Sequence, residues 1–288
     1  MEYLIHLAIL FSIYAILGVS LNLVVGYTGL LSVTHAAFFG VGAYTTAIFL
    51  TKSDIGFFSS LIFGIVIAVV VSSLIGVVLS KFKGDYYALG TFGFNTIVFA
   101  IFLNWENLTM GPLGISGIPK PELFGINFAN NFNFLVLSFI FLFLVYFFSR
   151  FVVNSSFGRV LKAIREDEIA ISVFGYNTLY FKLIIFVISS AMAAVAGSLF
   201  ASYITFIDPS SFQLQESMFI LVIIILGGLA NLRGSLLGAL FLILLPEILR
   251  FVGFPSGIEA QMRQVVYGII LILLMLYRPQ GVIGEYKL

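Results

Sequence analysis

The chain has 288 residues, of which 61% are hydrophobic and only 9% charged. Soluble domains carry about 25% charged residues, so this composition excludes a water-soluble globular protein, which could not cover its surface with so few charges. The net charge of +1 indicates no basic surface for nucleic acid. There is no cysteine, which excludes disulfides and thiol catalysis, and we expect neither a metal site nor a cofactor in this chain.

Nine apolar segments are candidates for membrane-spanning helices, which need about 20 residues each. The first lacks the basic start of a cleavable signal, so we interpret it as a retained span. Glycine and polar residues interrupt the second, fourth and seventh segments, which are therefore expected to be broken or re-entrant helices. The nine segments are Tyr3–Val25, Leu30–Leu50, Phe58–Leu79, Tyr86–Leu103, Phe134–Phe151, Phe181–Ala201, Met218–Leu232, Ser235–Val252 and Gln264–Tyr277.

These segments predict the fold class and the domain organisation. We expect an all-α polytopic integral membrane protein of about 8–10 transmembrane helices, with residues 1–288 forming a single transmembrane domain. A faint internal echo links Gly26–Tyr44 with Gly227–Leu240, because both place glycines before a polar turn and a further apolar segment. Inverted repeats of this kind occur in transporters, although two glycine clusters are a weak sign of one.

Lys and Arg residues predict the orientation, because cytoplasmic loops are enriched in them. If the charged segment 155–175 is cytoplasmic, alternation places loops 80–85 and 231–234 and the C-terminus in the cytoplasm as well, and the N-terminus outside. Of the 14 Lys and Arg residues, ten then lie inside, and the other four lie outside: Lys52, Lys120, Arg250 and Arg263. The sequence therefore predicts a multi-pass protein of the cytoplasmic (plasma) membrane.

The segment from Ser155 to Gly175 is the most polar part of the chain. Ser155 or Ser156 can cap a helix that starts near Phe157, and Gly175 is suited to the position just past its end. The sequence therefore predicts one helix in water between two apolar spans.

The side chains of this helix suggest how it could be used. Leu161, Ile164 and Ile171 would share one face, and Arg165 and Glu168 would be neighbours three residues apart. A helix of this kind is a candidate docking surface for another protein. The alternative is a solvated helix at the membrane surface that covers nothing.

Residues 158–177, GRVLKAIREDEIAISVFGYN, resemble the cytoplasmic coupling segment of ABC-transporter permeases for branched-chain amino acids, of the LivM type. The resemblance covers about residues 15 to 284. The chain departs from the family pattern in a less glycine-rich outer loop at Leu108–Gly114 and in the turn Asn231–Arg233. Further stretches that resemble the family are Leu21–Ser32, His35–Tyr44, Gly84–Phe92, Lys182–Ser202, Ile207–Phe212, Leu226–Ser235 and Arg278–Gly284.

The resemblance implies the non-catalytic permease subunit of an importer for branched-chain amino acids. The implied partners are a LivH-like sister permease, two ATPase subunits that bind ATP and Mg, and an extracytoplasmic binding protein. The chain has no Gly-Lys dipeptide, hence no phosphate-binding loop of the usual kind. The ATPase-coupling loop would be cytoplasmic, at about 152–180, and contain Gly158, Arg159, Lys162, Ala163, Arg165, Glu166, Asp167, Glu168 and Gly175.

Polar residues around the glycine-rich segments are candidates for the translocation pathway. The N-termini of half-helices at such breaks can face a substrate carboxylate. Serine and threonine in spans more often make packing contacts between helices, and His35 is interpreted first as a hydrogen-bonded packing residue. The candidates are Asn22, Tyr27, Thr28, Ser32, Thr34, His35, Thr91, Asn95 and Thr96.

Two other kinds of transporter fit the same composition. An ion-coupled secondary transporter usually needs ionisable groups inside the membrane, whereas here Glu and Asp are absent from the middle of every predicted span, with Asp208 and Glu247 near span ends. A permease of the same superfamily that moves sugars or urea-like solutes is the second alternative. An intramembrane enzyme is disfavoured because no HExxH or GxSxG motif is present.

Overall fold

The structure is a computed structural model that describes residues 2–53, 55–123, 126–128 and 130–251, together with 265, 266, 268, 269, 272, 273 and 281–283. Two-residue strands occur only in short antiparallel pairs, β1 (Ile115–Ser116) with β4 (Phe206–Ile207) and β2 (Glu122–Leu123) with β3 (Ile126–Asn127). The helices are α1 (Glu2–Thr28), α2 (His35–Lys52), α3 (Phe57–Leu79), α4 (Asp85–Asn104), α5 (Glu106–Thr109), α6 (Asn131–Asn154), α7 (Ser156–Glu166), α8 (Glu168–Val173), α9 (Thr178–Ile204), α10 (Leu214–Gly227) and α11 (Leu232–Phe251).

Among the described residues, five helices are long and apolar enough to cross a membrane, namely α1, α3, α4, α6 and α9. The pair α10 and α11 meets the same test together but is bent by 118°, and so forms a broken or re-entrant span. The all-α polytopic membrane class is confirmed. Most of the ninth predicted span, Gln264–Tyr277, lies outside the described residues.

Two predicted spans differ in detail from the helices observed, and a predicted break is found at a third place. The second begins at His35 rather than at Leu30, because residues 29–34 are not helical. The fourth is one unbroken helix despite its glycines, so the prediction of a break there is wrong. The seventh and eighth are the two arms of the bent pair, which confirms a break at that place.

Helix α2 lies in the centre of the molecule, packed between α3 and α9. Twelve of its 18 residues are buried. Small residues permit close packing, since a Cβ on Gly42 would lie 2.1 Å from the carbonyl oxygen of Ala194. A helix enclosed mostly by protein needs less hydrophobicity than one that faces lipid. Helix α2 is accordingly more polar than α3.

The peripheral helices expose apolar faces. Along α3, Ile62, Val66, Val70 and Leu74 recur every four residues and are each at least half exposed. In an apolar 18-residue stretch of each helix, 28% of α3 and 39% of α6 is buried, against 56% of α1 and 67% of α9. This pattern indicates that α1, α2 and α9 form the core and that α3 and α6 face lipid or a partner subunit.

The loops fall into two groups at opposite ends of the bundle. At one end, Ile115 pairs with Ile207, and the Lys52 ammonium donates to the carbonyl of Asn107 at 3.0 Å. At the other end, the last turns of α3 contact the start of α9, where a Cβ on Gly76 would lie 3.0 Å from the Leu183 side chain. These groups are those predicted from alternation.

Candidate functional site

The charged segment forms two helices, α7 and α8, which together with their flanking residues 155–177 we call the coupling segment. The break lies at Asp167, whose carboxylate accepts hydrogen bonds from the backbone N–H groups of Ile169 at 2.9 Å and Ala170 at 3.0 Å. A side chain that caps a new helix competes with continuation of the old one. The prediction of a single coupling helix is therefore wrong, although Ser155 caps α7 and Gly175 follows α8 as predicted.

Helix α7 packs closely against the end of α6. Gly158 is required there, because a Cβ would lie 2.1 Å from the carbonyl oxygen of Val153. Leu161 and Ile164 are buried on one face, as predicted. Ile171 is only partly buried, since the break at Asp167 turns it away from that face.

Two cations of α7 contact the end of α1. Arg165 donates a hydrogen bond through Nη1 to the carbonyl oxygen of Gly26, and the Lys162 ammonium lies 5.5 Å from the centre of the Tyr27 ring. The carbonyls of the last helical turn have no partner within the helix and carry partial negative charge. The end of α1 is therefore a favourable site for both cations.

Helix α8 is tied to α9 by an ion pair. The Lys182 ammonium lies 2.5 Å from a Glu168 carboxylate oxygen, with side-chain exposures of 4% and 28%. Thr178 donates to the other oxygen of Glu168 at 3.0 Å. Lys182 was not among the predicted site residues, and the signal that could have found it is its position just inside a predicted span.

The remaining charges of the coupling segment point to solvent. Arg159, Glu166 and Asp167 are exposed, and Arg159 donates to Ser156 within its own helix at 2.8 Å. Ala163, by contrast, lines a surface groove of about 490 Å³ between α7, α8 and the start of α9. The groove is otherwise lined by Ser156, Phe157, Arg159, Val160, Ile171, Tyr176 and Phe181.

Apolar side chains are also exposed beside these charges. Val173 and Phe174 at the end of α8 are 81% and 79% exposed. Ile169 and Tyr176 nearby in sequence are exposed as well, and we call these four residues the coupling tip. Exposed apolar side chains rimmed by charges mark surfaces that other proteins cover.

Of the predicted pathway residues, Asn22 is completely buried and bonds to the turn between α10 and α11. Its Nδ2 lies 3.0 Å from the Asn231 carbonyl and 2.7 Å from Ser235 Oγ, and its Oδ1 accepts from Ala230 N at 2.9 Å. These bonds give Asn22 a structural task in holding the turn. A role in the pathway stays a prediction.

A second group of predicted residues surrounds the start of α2. Ser32 and Thr34 lie within hydrogen-bond distance of each other at 3.0 Å, and Val33 N donates to Thr91 Oγ1 at 3.3 Å. His35 Nε2 lies 3.0 Å from Ser189 Oγ. The non-helical segment 29–34 is thus held by a side chain of α4, and the first residue of α2 by a side chain of α9.

Helix α10 contributes a further polar group at the same place. Ser217 accepts a hydrogen bond from Ala36 N at 2.9 Å and donates to the Asn95 amide oxygen at 3.5 Å. His35 Nδ1 and Asn95 Nδ2 are buried without a hydrogen-bond partner. The first turns of α2 and α10 therefore meet in the interior, around polar groups that are not all satisfied.

The other predicted pathway residues are separate from this cluster. Thr28 donates to the Val24 carbonyl at 2.6 Å, within its own helix. Thr96 donates to the Phe92 carbonyl at 3.1 Å and lies on an exposed face of α4. These bonds are of the kind that serine and threonine make inside any membrane helix.

Comparison with known proteins identifies the family. The family described as branched-chain amino acid transport system / permease component matches residues 3–275. The chain belongs to this family. A high-affinity branched-chain amino acid permease, LivM of Escherichia coli K12, is 37% identical over 97% of this chain and 69% of its own length.

Other permeases of the family match as well. A probable LivM permease of Methanocaldococcus jannaschii is 28% identical over 96% of this chain and 91% of its own length. The LivH permease of Escherichia coli K12 is 25% identical over 95% of this chain and 92% of its own length. No solved structure matches the chain significantly. The predicted LivM-like membership is confirmed, and the chain is a multi-pass membrane permease.

Sequence reasoning missed one acidic residue of this permease. Glu216 precedes the predicted span, which starts at Met218. In the structure it lies in the first turn of α10. One of its carboxylate oxygens is buried without a hydrogen-bond partner, while Tyr14 of α1 bonds to the carboxylate. Glu216 lies in the first turn of α10 and not in its middle, so it agrees with the expectation that Glu and Asp are absent from the middle of the predicted spans. Among the described residues, no group of three His, Asp or Glu side chains could hold a metal ion.

Proposed function

We propose that this chain is the transmembrane subunit of an ATP-driven importer, through which branched-chain amino acids cross the plasma membrane. Membership of the permease family supports the substrate class. The observation that carries the mechanism is the coupling segment, which is anchored at its base by Arg165 and Glu168 and exposed at its tip. A segment built in this way can transmit force from a protein bound to its tip to the helices that hold its base.

We propose further that separate subunits supply the energy and the substrate. Two ATPase subunits, each with ATP and Mg, would dock on the cytoplasmic side, and a binding protein would deliver the amino acid on the other side. Likeness to both LivM and LivH permeases supports a pair of related permeases in one transporter. The chain itself would be non-catalytic.

The charges and apolar groups of the coupling tip suit an ATPase surface. The tip exposes Val173 and Phe174, and the groove between α7, α8 and the start of α9 is lined by Arg159 together with apolar side chains. Burial of one large apolar side chain stabilises an interface by about 2 kcal/mol. We therefore expect the tip to account for much of the affinity for the ATPase.

Substitution of Phe174 tests this proposal. Phe174→Asp places a charge in the interface, so the amount of ATPase that copurifies with the permease should fall at least about tenfold. Leu113→Asp is the matched control, because Leu113 is 80% exposed at the opposite end of the molecule. Equal ATPase recovery from both variants would contradict the docking site, and uphill amino-acid uptake by the purified chain alone in liposomes would contradict the whole proposal.

One observation favours a second candidate function. Glu216 is an acidic group within a span, and such groups are often proton or cation sites in ion-coupled transporters. In that case the chain would transport without an ATPase. The liposome experiment distinguishes the two functions, because only an ion-coupled transporter accumulates substrate from an imposed ion gradient.

A further inference from the structure

Two other parts of the chain meet α1 at Gly26, near the end of that helix. On one side, the carbonyl oxygen of Gly26 accepts the hydrogen bond from Arg165 of the coupling segment. On the other side, the Cα of Gly26 lies against the turn between α10 and α11, where an added Cβ would be 2.6 Å from Ala230 N and 1.8 Å from Asn22 Oδ1. Glycine is needed here because no side chain fits.

The Arg165 side chain lies along the end of α1 over more than one residue. A Cβ on Gly29 would lie 3.1 Å from Arg165 Cγ, so the aliphatic part of the arginine covers that position. The carbonyl of Gly26 is one of the last four of α1, which lack partners within the helix. A guanidinium is permanently charged and donates well to such a carbonyl. The contact is therefore a specific bond to the backbone.

Asn22 fixes the turn to the same end of α1. It is fully buried and bonds to Ala230, Asn231 and Ser235, and so spans the last residues of the turn and the start of α11. Polar bonds in a buried, low-dielectric setting are strong and directional. The turn and the end of α1 therefore form one rigid unit, which we call the joint.

A further segment of the chain is attached to the end of α10, next to the joint. Val282 N donates to the Leu226 carbonyl at 2.9 Å, and Ile283 N donates to the Gly227 carbonyl at 3.1 Å. These bonds satisfy carbonyls at the end of α10. Residues 282 and 283 are therefore attached to the end of α10, directly before the turn.

We infer that Arg165 is a positioning residue for transport, which makes the turn between α10 and α11 move with the coupling segment through the backbone of α1 at Gly26. This inference rests on the proposed function, because it names the route by which ATP-driven motion enters the membrane helices. Lys182 and Glu168 provide a separate connection to α9. Lys162 also contacts the end of α1, at Tyr27, but Arg165 bonds to Gly26, the residue that lies against the re-entrant turn.

The test measures whether the turn follows the coupling segment. The chain has no cysteine, so spin labels can be attached at Glu166→Cys in α7, Arg233→Cys beside the turn and Lys81→Cys after α3, in the complete transporter with cysteine-free partners. All three native residues are exposed. Distances from the label at position 81 to the other two are then measured without nucleotide and with ATP.

We expect both distances to change on ATP binding in the otherwise unaltered transporter. In Arg165→Gln the change at position 166 should persist, the change at 233 should disappear, and amino acid transported per ATP hydrolysed should fall about tenfold, a typical coupling effect. Arg165→Lys should restore part of the distance change at 233 and part of the coupling ratio, because lysine keeps a hydrogen-bond donor. Arg150→Gln changes an exposed arginine near the end of α6, outside the coupling segment, and is the matched control that should alter neither the distance change at 233 nor the coupling ratio.

The possible failures are distinguishable. If position 166 does not move with ATP, the proposed function fails and the inference with it. If position 166 moves but position 233 does not, or if position 233 moves equally in Arg165→Gln, the inference is overturned and the proposed function stands. A loss of both movements in Arg165→Gln, with normal assembly, would also overturn it, because Arg165 would then act within the coupling segment itself.

Discussion

Lys182 is the buried cation on which the position of α8 depends. Its side chain is 4% exposed, and its partner Glu168 is more accessible. Removing one member of such a pair leaves the other charge partly buried without compensation, which costs more than the pair contributes as a whole. Thr178 adds a second bond to the Glu168 carboxylate. The pair therefore fixes where α8 sits and is a poor site for a single neutral substitution.

Lys182→Met should detach α8 from α9. We expect a loss of about 2 kcal/mol in the local stability of α8, which is less than for a fully buried pair because Glu168 is partly solvated. Amide hydrogen exchange of residues 168–173 in the purified permease measures this directly.

The double variant Lys182→Met/Glu168→Leu is the control for the ion pair. It removes both charges, so most of the lost protection should return. If Lys182→Met left the hydrogen-exchange protection of α8 at the wild-type level, the pair would not hold α8. The same would follow if the double variant were no better protected than Lys182→Met.

Sequence reasoning found the local features of the site and missed the distant ones. The capping role of Ser155 and the buried face of Leu161 and Ile164 follow from neighbours within a few residues, and both are confirmed. The partners of His35 and Asn22 lie 154 and more than 200 residues away. Spacing along one chain carries no information about such contacts, which depend on how helices pack.

At the scale of elements, the break between α7 and α8 separates two attachments. Helix α7 is fixed to α1 and to the end of α6, whereas α8 is fixed to α9. A single straight helix could not follow both directions. Asp167 makes the change of direction possible by supplying the first hydrogen bonds of α8.

Asp167→Ala should loosen the start of α8. Loss of an N-cap costs about 1 kcal/mol, so the protection of the Ile169 and Ala170 amides against hydrogen exchange should fall about fivefold. Glu166→Ala is the matched control, because Glu166 is the exposed neighbouring acid and its removal should leave those amides unchanged. Equal protection in Asp167→Ala and the wild-type chain would contradict the capping role.

The peripheral spans could be predicted from their apolar sequence, whereas the interior elements could be predicted only in part. Helices α3 and α6 are long runs of apolar residues, which is the pattern expected of helices that face hydrocarbon. The start of α2 and the continuity of α4 depend on protein contacts, in which a glycine can serve packing rather than a break. The bend between α10 and α11 was visible in the paired glycines at Gly227 and Gly228.

At the scale of the whole molecule, the contacts group the loops into two ends, and the balance of Lys and Arg suggests which end is cytoplasmic. The coupling segment and the turn between α10 and α11 share one end, because both meet α1 at Gly26. The loop after α4 and the strand β4 share the other end. The two glycine segments that echo each other in sequence are in contact at the first of these ends.

Single cysteines in this cysteine-free chain test the orientation. A membrane-impermeant maleimide should label Glu106→Cys in intact cells and should label Glu166→Cys only after permeabilisation, because the two exposed residues lie at opposite ends. Unaltered chain, which has no thiol, sets the background. Labelling of Glu166→Cys in intact cells would reverse the proposed orientation.

The attachment of Asn22 has a consequence for biogenesis. Its amide belongs to α1, yet its partners are at residues 228–235, more than 200 residues later in the chain. Until the ribosome has produced that distant stretch, α1 resides in the bilayer with an amide deprived of its native acceptors, which is costly in hydrocarbon. Helix α1 therefore reaches its final packing only once residues 228–235 have been made.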